Sequence, residues 1–491
     1  MPVSAPSLRL RQVNAAPVDP HGRYVLYWMT AARRTRHNFA LDHALAWARE
    51  LGVGVIVLEA LRVDYPWSSD RLHRFVLDGM ADNLGRFEAS PVHYYPYVEP
   101  TVGAGRGLLE ALAERACVVV TDDFPCFFLP RMLAAAGDKL RVRLDAVDGN
   151  GLLPMRAADR VFGRAFDFRR FLQKTLAPHL SSAPRADPLR NLQLAAVRPA
   201  TEILRRYPAA ELSALRAPGG LARFPIDHTV SLAALSGGEA AARKQLASFI
   251  TRLSSYEQRN HPDEDASSGL SPYLHFGHVS VHDVFARVVA QEEWTSDAVS
   301  SRCAGQREGW WGMSQAAESF LDELVTWREL GYNFCSQRQD YAEFSSLPEW
   351  ARATLAKHAK DPRSHLYSST ELEQGKTHDD LWNAAARQLR DEGRMHNYLR
   401  MLWGKNILLW SESPQVALEV MIHLNNKYAL DGRNPNSYSG IFWVLGRYDR
   451  PWAPERPVLG TLRYMTTAST KKKLRVKRYL ERFGDAPSLF R

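Results

Sequence analysis

Two patterns of apolar residues divide the chain, and they constrain its fold more than any other feature. Between residues 23 and 160, short β-branched runs such as YVLYWM, VGVIVLEA and CVVVTDDF alternate with segments of helical length. This alternation predicts a parallel sheet whose strands are joined by crossover helices. After Ser236-Gly237-Gly238 the pattern is almost wholly helical, as in EAAARKQLASFITRLSSYEQ. The sequence therefore predicts an α/β domain followed by a larger all-α domain.

The predicted domain limits follow these patterns. The 491 residues exceed what one hydrophobic core usually fills, so two or three domains are expected. We assign residues 1–160 to the α/β domain, 161–235 to a connector and 236–491 to the all-helical domain. Spaced prolines and the pair Gly219-Gly220 indicate the connector. No GxGxxG motif follows the first strand, which argues against a dinucleotide site there.

Composition narrows the class of protein. The hydrophobic fraction of 45% and the charged fraction of 24% are typical of a soluble globular protein. No apolar run reaches the roughly 18–20 residues of a membrane span, and the N-terminal MPVSAPSLRLRQVNAAP lacks the apolar core of a secretory signal. We therefore expect a soluble, cytoplasmic protein of bacterial type. The cysteines form no CxxC pair, so we expect reduced thiols and no bound metal at Cys117, Cys126, Cys303 and Cys335.

The charge of the chain suggests a class of partner. Its formal net charge of +9 suits a polyanion. The segment TKKKLRVKRYLERF concentrates basic residues, beginning with Lys471, Lys472 and Lys473. Such a segment is either a solvated helix face or a strip that lies along the phosphates of nucleic acid, and the charge alone leaves both open.

Three tryptophans lie in one helix-forming stretch, Trp382, Trp403 and Trp410, with gaps of 21 and 7 residues. Multiples of seven return to nearly the same face of a helix or of two packed helices. The indoles can therefore stack inward, and a row of redox-active rings is a route for single electrons. Core packing of bulky rings explains the same spacing, so the spacing alone does not distinguish an electron route from ordinary packing.

Five segments of the chain carry a family resemblance: RYVLYWMTAARRTRHNFAL (23–41), SGLSPYLHFG (268–277), DELVTWRELGYNFC (322–335), GRMHNYLRMLWGKNILLW (393–410) and YALDGRNPNSYSGIFWVLGRYDRPWAPERPVLGTLRYM (428–465). In this order they resemble the photolyase/cryptochrome family, and within it the class II cyclobutane pyrimidine dimer photolyases. The resemblance extends, with gaps, from about Arg23 to about Lys473. It implies a photolyase-type α/β domain followed by a flavin-binding helical domain.

The resemblance implies FAD as cofactor, reduced and anionic for repair, with an antenna chromophore of unknown identity as a second candidate. The residues that match the flavin-binding positions are Tyr256, Ser267, Ser268, Gly269, Leu270, Ser271, Asn397, Arg400, Asp431, Gly432 and Arg433. Serine hydroxyls and backbone N–H groups before Pro272 suit an anion, although an ordinary Ser-capped helix looks the same. A paired Arg400 and Asp431 would hold positive potential near the flavin ring, or form a structural salt bridge. Asn425 matches the asparagine that class II members place by the flavin N5.

The same resemblance implies UV-damaged DNA as substrate. Trp327 and Trp443 match the family's two pocket tryptophans, and Glu323 matches the glutamate that bonds the flipped pyrimidine. The rest of the predicted lining is Tyr398, Met401 and Arg463, with Lys471, Lys472 and Lys473 on the DNA backbone. By family match Trp403 is nearest the flavin, and Trp382 and Trp410 relay electrons from the surface. Relatives that repair the (6-4) photoproduct have histidines in place of Asn397 and Met401, which favours the cyclobutane dimer.

The resemblance leads to one predicted function and two alternatives. We expect a monomeric, light-driven carbon–carbon lyase that splits pyrimidine dimers and needs no obligate protein partner. A cryptochrome-like blue-light photoreceptor without repair activity would keep the flavin and the tryptophans but could lose the lesion pocket. A light-independent nucleic-acid-binding protein would need neither the Arg400/Asp431 pair nor the tryptophan row.

Overall fold

The computed structural model describes residues 5–484, and the chain divides into two compact units. Unit 1 is Met1–Asp159, Thr175–Ile250 and Gly269–Asp297, and unit 2 is Arg160–Lys174, Thr251–Ser268 and Ala298–Arg491. The ends of the predicted domains, residues 1–4 and 485–491, lie outside the described residues. The domain limits near residues 160 and 235 stay predictions.

The regular elements are numbered in chain order. The strands are β1 (Leu10–Gln12), β2 (Tyr24–Met29), β3 (Gly54–Leu61), β4 (His93–Val98), β5 (Ala116–Asp122) and β6 (Leu144–Val147). The first eleven α-helices are α1 (Phe39–Leu51), α2 (Asp70–Glu88), α3 (Leu108–Ala113), α4 (Leu129–Lys139), α5 (Ala165–Thr175), α6 (Ala177–Leu180), α7 (Thr201–Arg206), α8 (Leu212–Arg216), α9 (Glu239–Ile250), α10 (Ser271–His275) and α11 (Val281–Gln291). The α-helices that follow are α12 (Gln315–Leu321), α13 (Arg328–Gln337), α14 (Glu349–Lys357), α15 (Ser369–Gln374), α16 (Asp380–Glu392), α17 (Asn397–Trp410), α18 (Pro414–Tyr428), α19 (Pro435–Val444), α20 (Thr467–Lys473) and α21 (Lys477–Phe483). A 3₁₀-helix spans Leu253–Asn260, and a π-helix spans Asp322–Trp327.

Unit 1 contains the predicted parallel sheet. Its six strands lie in the order β1-β6-β5-β2-β3-β4. The strand β1 pairs antiparallel with β6, and all the other neighbours are parallel. Every residue of the central strand β2 is buried, as expected where helices cover both faces of a parallel sheet. The prediction of an α/β domain with crossover helices is confirmed.

Alternation along β2 divides its side chains between two hydrophobic cores. Val25, Tyr27 and Met29 belong to the core that includes residues of α1. Their neighbours in sequence belong to the other core, which includes residues of α3 and α4. This division follows from the two-residue repeat of a strand. Asn38 begins α1 by accepting hydrogen bonds from the backbone N–H groups of Ala40 and Leu41 at 3.0 and 3.1 Å.

Two strands were not predicted from the sequence. The strand β4 contains Pro96, which has no N–H to donate and therefore reads as a strand breaker. The structure places β4 at the edge of the sheet, where proline is tolerated. The strand β1 has only three residues, and it is defined by its pairing with the distant β6 rather than by a local pattern.

Unit 2 is helical, and two glycines let its helices approach closely. A Cβ built on Gly331 of α13 would stand 2.6 Å from Ser439 Oγ and 2.8 Å from the carbonyl oxygen of Pro435, both on α19. A Cβ on Gly404 of α17 would stand 2.6 Å from a methyl carbon of Val444. The described residues of unit 2 contain no assigned strand, so the predicted all-α region is confirmed.

No disulfide joins the four cysteines, of which Cys117, Cys126 and Cys335 are buried. Within residues 5–484, no helix combines the length and the apolar character that crossing a membrane requires.

The glycine contacts predict a difference between two alanine substitutions on the α13–α19 pair. Gly331→Ala should lower the free energy of unfolding by about 1–3 kcal/mol, because the helices must move apart to admit the methyl group. Gly440→Ala on α19 is the control, since its Cβ would meet Met401 Cε at an ordinary 3.6 Å. That variant should be neutral or more stable by roughly 0.5–1 kcal/mol, from helix propensity. Urea unfolding measures both, and equal losses would contradict the packing argument.

Candidate functional site

Helices α16 and α17 bring the three spaced tryptophans into one row. Trp382 stacks on Trp403 with ring centroids 6.3 Å apart and planes 8° from parallel, and Trp410 meets Trp382 edge-on at 5.5 Å. The indole N–H of Trp382 donates to the carbonyl oxygen of Trp403 at 3.0 Å. None of the three is more than 5% exposed. Trp382 therefore lies between Trp403 and Trp410 in the row, and all three rings are inside the protein.

Residues that the sequence analysis missed extend this row to the surface. The ring of Tyr367 lies 5.5 Å from that of Trp410, and the ring of His378 lies 5.1 Å from it. Tyr367 Oη and His378 Nδ1 are 2.7 Å apart and share a hydrogen bond. His378 stacks on His365 at 3.8 Å, and both histidines are exposed. Tyr367 precedes Trp410 by 43 residues in another segment, so no local spacing indicated it.

An ion pair joins α17 to the turn after α18. Arg400 Nη2 lies 3.1 Å from Asp431 Oδ1 and 3.4 Å from Asp431 Oδ2. The two side chains are 18% and 16% exposed, so the charges are largely removed from water and depend on each other. Arg400 stands one turn before Trp403 on the same helix, which places the pair beside the inner end of the tryptophan row.

Close packing holds the turn that carries Asp431. A Cβ on Gly432 would stand 2.7 Å from the carbonyl oxygen of Asn425. Arg433 has a φ of 59°, is buried, and donates from its guanidinium to the carbonyl oxygen of Asn426. The amide of Asn425 donates to Ser437 Oγ at 2.6 Å. Arg433 therefore builds the turn, while Asp431 is presented toward α17.

Two buried nitrogen atoms of the α17 region have no hydrogen-bond partner among the described residues. They are Trp403 Nε1 and His396 Nδ1. Burial lowers the pKa of His396 to about 4, so its ring is neutral at neutral pH. A buried polar atom left without a partner costs roughly 1–3 kcal/mol, so these atoms fit a bound group that supplies polar partners.

The predicted anion-binding segment is divided between the two units. In unit 2, the carbonyl oxygen of Ser267 accepts a hydrogen bond from Arg252 Nη2 at 3.3 Å. Ser268 is the last residue of the unit 2 segment that begins at Thr251. In unit 1, Gly269 has a φ of +65°, Leu270 is buried, and Ser271 begins α10 with Pro272 in its first turn. Tyr256, also predicted, lies in unit 2 on the 3₁₀-helix. Its ring meets Phe320 edge-on at 5.3 Å.

A π-helix between α12 and α13 carries Glu323 as its second residue and Trp327 as its last. Such wider turns are often found at functional sites. Glu323 Oε1 lies 3.6 Å from Arg259 Nη2. Desolvation raises the pKa of the Glu323 carboxyl, and the guanidinium of Arg259 partly offsets this rise. Arg169 donates two hydrogen bonds to the carboxylate of Asp322, from Nε to Oδ1 at 2.7 Å and from Nη2 to Oδ2 at 2.9 Å. This bidentate pair anchors the first residue of the π-helix.

A cavity of about 450 Å³ opens beside the N-terminal turns of α17. Such a volume lies within the usual range for ligand pockets, roughly 300–1,000 Å³. Six predicted residues line the cavity: Asn397, Tyr398, Met401, Trp443, Arg463 and Lys473. The lining also includes residues that the sequence analysis did not name: Asn260, Trp452, Ala453, Pro454, Arg456, Leu462, Tyr464 and Met465. Glu323 and Trp327 are not among the lining residues, and Arg259, which contacts Glu323, directly precedes Asn260.

Charged and aromatic groups alternate on one wall of this cavity. Arg463 donates to both carboxylate oxygens of Asp449, at 2.9 and 3.2 Å. Its guanidinium lies 4.2 Å from the ring centre of Trp452 and 5.5 Å from that of Trp443. Burial acts to raise the pKa of Asp449, but the hydrogen bonds from Arg463 and other donors lower it overall, so the carboxylate stays charged. Trp452 thus belongs to the site, and Arg450 stacks on it at 4.6 Å.

The three predicted lysines on α20 differ in their surroundings. Lys471 Nζ lies 2.5 Å from Asp380 Oδ1. Lys473 lines the cavity, with its Nζ 5.7 Å from the ring centre of Tyr398. Lys472 is exposed. Farther along, Arg475 and Arg478 both face Glu264, so the basic segment is partly neutralised by its own neighbours.

Several relatives resemble the chain over most of its length. A deoxyribodipyrimidine photo-lyase of Methanothermobacter thermautotrophicus is 32% identical over 477 residues, which are 96% of this chain and 97% of that protein. One of Arabidopsis thaliana is 32% identical over 495 residues, with 96% and 91% covered. One of Potorous tridactylus is 32% identical over 470 residues, with 94% and 81% covered. No protein-family model matches the chain.

Solved structures share the fold at lower identity. A class III photolyase of Agrobacterium tumefaciens superposes with a TM-score of 0.64 at 19% identity, covering 94% of this chain and 86% of that one. A cryptochrome of Synechocystis sp. PCC6803 superposes with a TM-score of 0.63 at 15% identity, covering 94% and 88%. These structures confirm the predicted fold class, a mostly parallel sheet followed by a helical region.

The Glu323–Arg259 contact predicts how the carboxyl responds when its partner is removed. Arg259→Met should raise the pKa of Glu323 further, because desolvation already raises it and Arg259 is the strongest opposing group. Arg307→Met is the control, since Arg307 lowers the pKa of Glu323 through a weaker interaction and its loss should have a smaller effect. The pKa is measured by carbon NMR of labelled glutamate, with the signal assigned by Glu323→Gln. An unchanged or lower pKa in Arg259→Met would contradict the assignment.

Proposed function

Because the chain belongs to the deoxyribodipyrimidine photo-lyase family, enzymes of DNA photorepair, we propose that it splits cyclobutane pyrimidine dimers in UV-damaged DNA. The observation that carries this proposal is the arrangement of one helix, α17. Its Asn397, Tyr398 and Met401 line the cavity, its Arg400 pairs with Asp431, and its Trp403 begins the tryptophan row. A substrate pocket, a cofactor contact and an electron route therefore meet on a single rigid element.

The family to which the chain belongs generally binds FAD, and the residues of unit 2 fit it. We propose that Arg400 and Asp431 face the flavin, with Asn397, Asn425, Gly432, Arg433, Tyr256, Ser267 and Ser268 around it. The partnerless Trp403 Nε1 and His396 Nδ1 support this proposal, because a bound polar group would satisfy them. When bound in its reduced anionic form, FAD supplies the light-driven electron for repair. The roles of Gly269, Leu270 and Ser271 stay predictions from the resemblance.

The tryptophan row is proposed to carry electrons inward. Each ring contacts the next at 5.5–6.3 Å, so single electrons can pass along Trp410, Trp382 and Trp403. The buried Trp410 is not itself a surface donor, and Tyr367 supplies the outer step. The hydrogen bond to His378 gives the Tyr367 hydroxyl a base that can accept its proton on oxidation.

The cavity is proposed to receive the dimer after it leaves the duplex. A flipped base loses its stacking partners, and the aromatic plane of Trp443 in the cavity lining replaces them. Trp327 does not line the cavity, and its part in this stacking stays a prediction from the resemblance. Desolvation raises the pKa of Glu323, which shifts its carboxyl toward the form that donates a hydrogen bond. Glu323 does not line the cavity, and its contact with the base stays a prediction from the resemblance. Lys472 and Lys473 then contact phosphates, and Lys471 joins them if it leaves Asp380.

Several finer predictions from the sequence also belong to this proposal. They are the class II subtype, an antenna chromophore of unknown identity, a monomeric state without an obligate protein partner, and a cytoplasmic location.

The main test is repair under light. The reduced protein, illuminated with an oligonucleotide that contains one cyclobutane thymine dimer, should restore thymine absorbance, and the same mixture in the dark should not. An oligonucleotide with a (6-4) photoproduct is the specificity control and should not be repaired. Flavin binding without repair of either lesion would contradict the proposal and favour the cryptochrome-like photoreceptor.

Trp403→Phe should nearly abolish light-driven reduction of the oxidised flavin, because the inner electron donor is lost. Repair by chemically reduced protein should remain close to that of the unmodified chain. Trp310→Phe is the control, since Trp310 is equally buried in the same unit and contacts Trp311 instead of the row. Flavin absorbance under illumination is the measurement. Normal photoreduction in Trp403→Phe would show that the row carries no electrons.

Trp327→Ala and Trp443→Ala should lower the affinity for dimer-containing DNA and leave undamaged duplex nearly unchanged. Base–aromatic stacking is worth roughly 1–3 kcal/mol, so each substitution should cost about 5- to 150-fold. The measurement is the ratio of damaged to undamaged affinity at one salt concentration, with flavin occupancy checked by absorbance. Equal losses on both DNAs would show that these tryptophans only stabilise the fold.

A further inference from the structure

A buried lysine lies behind the cavity. Lys405 of α17 is 1% exposed, and its Nζ donates to the carbonyl oxygen of Val444 at 2.6 Å. Val444 is the last residue of α19, so Lys405 caps the C-terminal end of that helix, where a cation is favourable. The approach is possible because Gly404 has no side chain and lets α17 lie against Val444.

The same lysine contacts the ring of the cavity tryptophan. Lys405 Nζ lies 5.6 Å from the ring centre of Trp443, the residue directly before Val444. Trp443 lines the cavity, whereas Lys405 is not among the lining residues. Lys405 therefore holds Trp443 in two ways, through the backbone of the next residue and through the face of the indole.

The cost of this arrangement is a cation in a site with little water. Burial lowers the pKa of Lys405 to about 7, opposed by Asp449 and reinforced by Arg463. These two residues both lie in the segment after α19. The helices α16, α18 and α19 also pack on α17, and among residues 5–484 none of them contributes a charged group that shifts the pKa of Lys405. The ammonium and the neutral amine are therefore both present near neutral pH.

We propose that Lys405 is the positioning residue for Trp443, and that its ammonium form sets the ring for the damaged base while its neutral amine does not. This inference rests on the proposed function, because it assigns Trp443 to the lesion. The ammonium makes a charge-assisted hydrogen bond to Val444 and a cation–π contact with Trp443. Deprotonation removes the charge from both contacts, and the indole plane is then held less firmly.

The protonation state of Lys405 sets the direction in which the preference for damaged DNA changes with pH. Lys405 is mostly protonated below its pKa of about 7 and mostly neutral above it. The ratio of damaged to undamaged affinity should therefore be highest at acidic pH and fall as the pH rises through 7. The expected fall is roughly 5- to 30-fold, the scale of losing a desolvated cation–π contact and weakening a buried hydrogen bond.

The test compares the unmodified protein with Lys405→Met, which keeps the volume of the side chain and removes the charge. Lys427→Met is the matched control, because Lys427 is a largely buried lysine on α18 that pairs with Glu373 at 2.7 Å. The affinities for dimer-containing and undamaged duplex are measured from about pH 6 to 8.5, the window around that pKa, in the dark with oxidised flavin. A second readout needs no DNA: the fluorine NMR signal of 5-fluorotryptophan at Trp443, assigned with Trp443→Phe.

The two readouts separate the possible results. The proposal predicts that the ratio and the Trp443 signal change together with a midpoint near pH 7, and that both changes disappear in Lys405→Met but persist in Lys427→Met. It is overturned if neither changes in the unmodified protein, or if the changes survive in Lys405→Met. If Lys405→Met does not fold, the fluorine titration of the unmodified protein decides. A Trp443 signal that titrates while the unmodified protein binds both DNAs equally would overturn the repair function and leave the role of Lys405 intact.

Discussion

Close packing around α17 is the constraint on which unit 2 depends. The helix contacts α16, α18 and α19, and Gly404 brings its backbone within reach of Val444 and Met421. Because a helix turns by 100° at each residue, this one buried element presents different faces to the cavity, to the Arg400–Asp431 pair and to the tryptophan row. Any change that shifts α17 would therefore move all three together.

Unit 2 contains polar groups whose placement opposes the stability of the fold. A core made of apolar side chains would avoid the cost of a buried ammonium, a carboxyl with a raised pKa and an indole N–H without a partner. Lys405, Glu323 and Trp403 carry these three costs in one unit. Polar groups that oppose stability in this way are commonly retained for binding or chemistry, which agrees with the membership of the chain in a family of repair enzymes.

Features set by neighbouring residues were predicted from the sequence, whereas several contacts between distant segments were not. Strand β2 coincides with the run YVLYWM, and the 21- and 7-residue gaps did lead to contacting tryptophans. Strand β4 was not predicted, because Pro96 is typical of a strand breaker until its edge position is known. Trp452 and Tyr367 were not predicted either, because they reach the cavity and the tryptophan row from separate segments. Glu323 contacts Arg259 and is not among the residues that line the cavity with Trp443, and its role at the lesion stays a prediction.

The sequence by itself determined the fold class, the family and the positions of the candidate residues, because strand and helix periods and motif order are properties of neighbouring residues. Only the tertiary structure decided which side chains meet and in what electrostatic surroundings. The cap of Lys405 on Val444 and the ion pair of Arg400 with Asp431 join residues 39 and 31 positions apart. Burial and proximity set the pKa and the partners of such groups, and both arise only when distant segments are brought together.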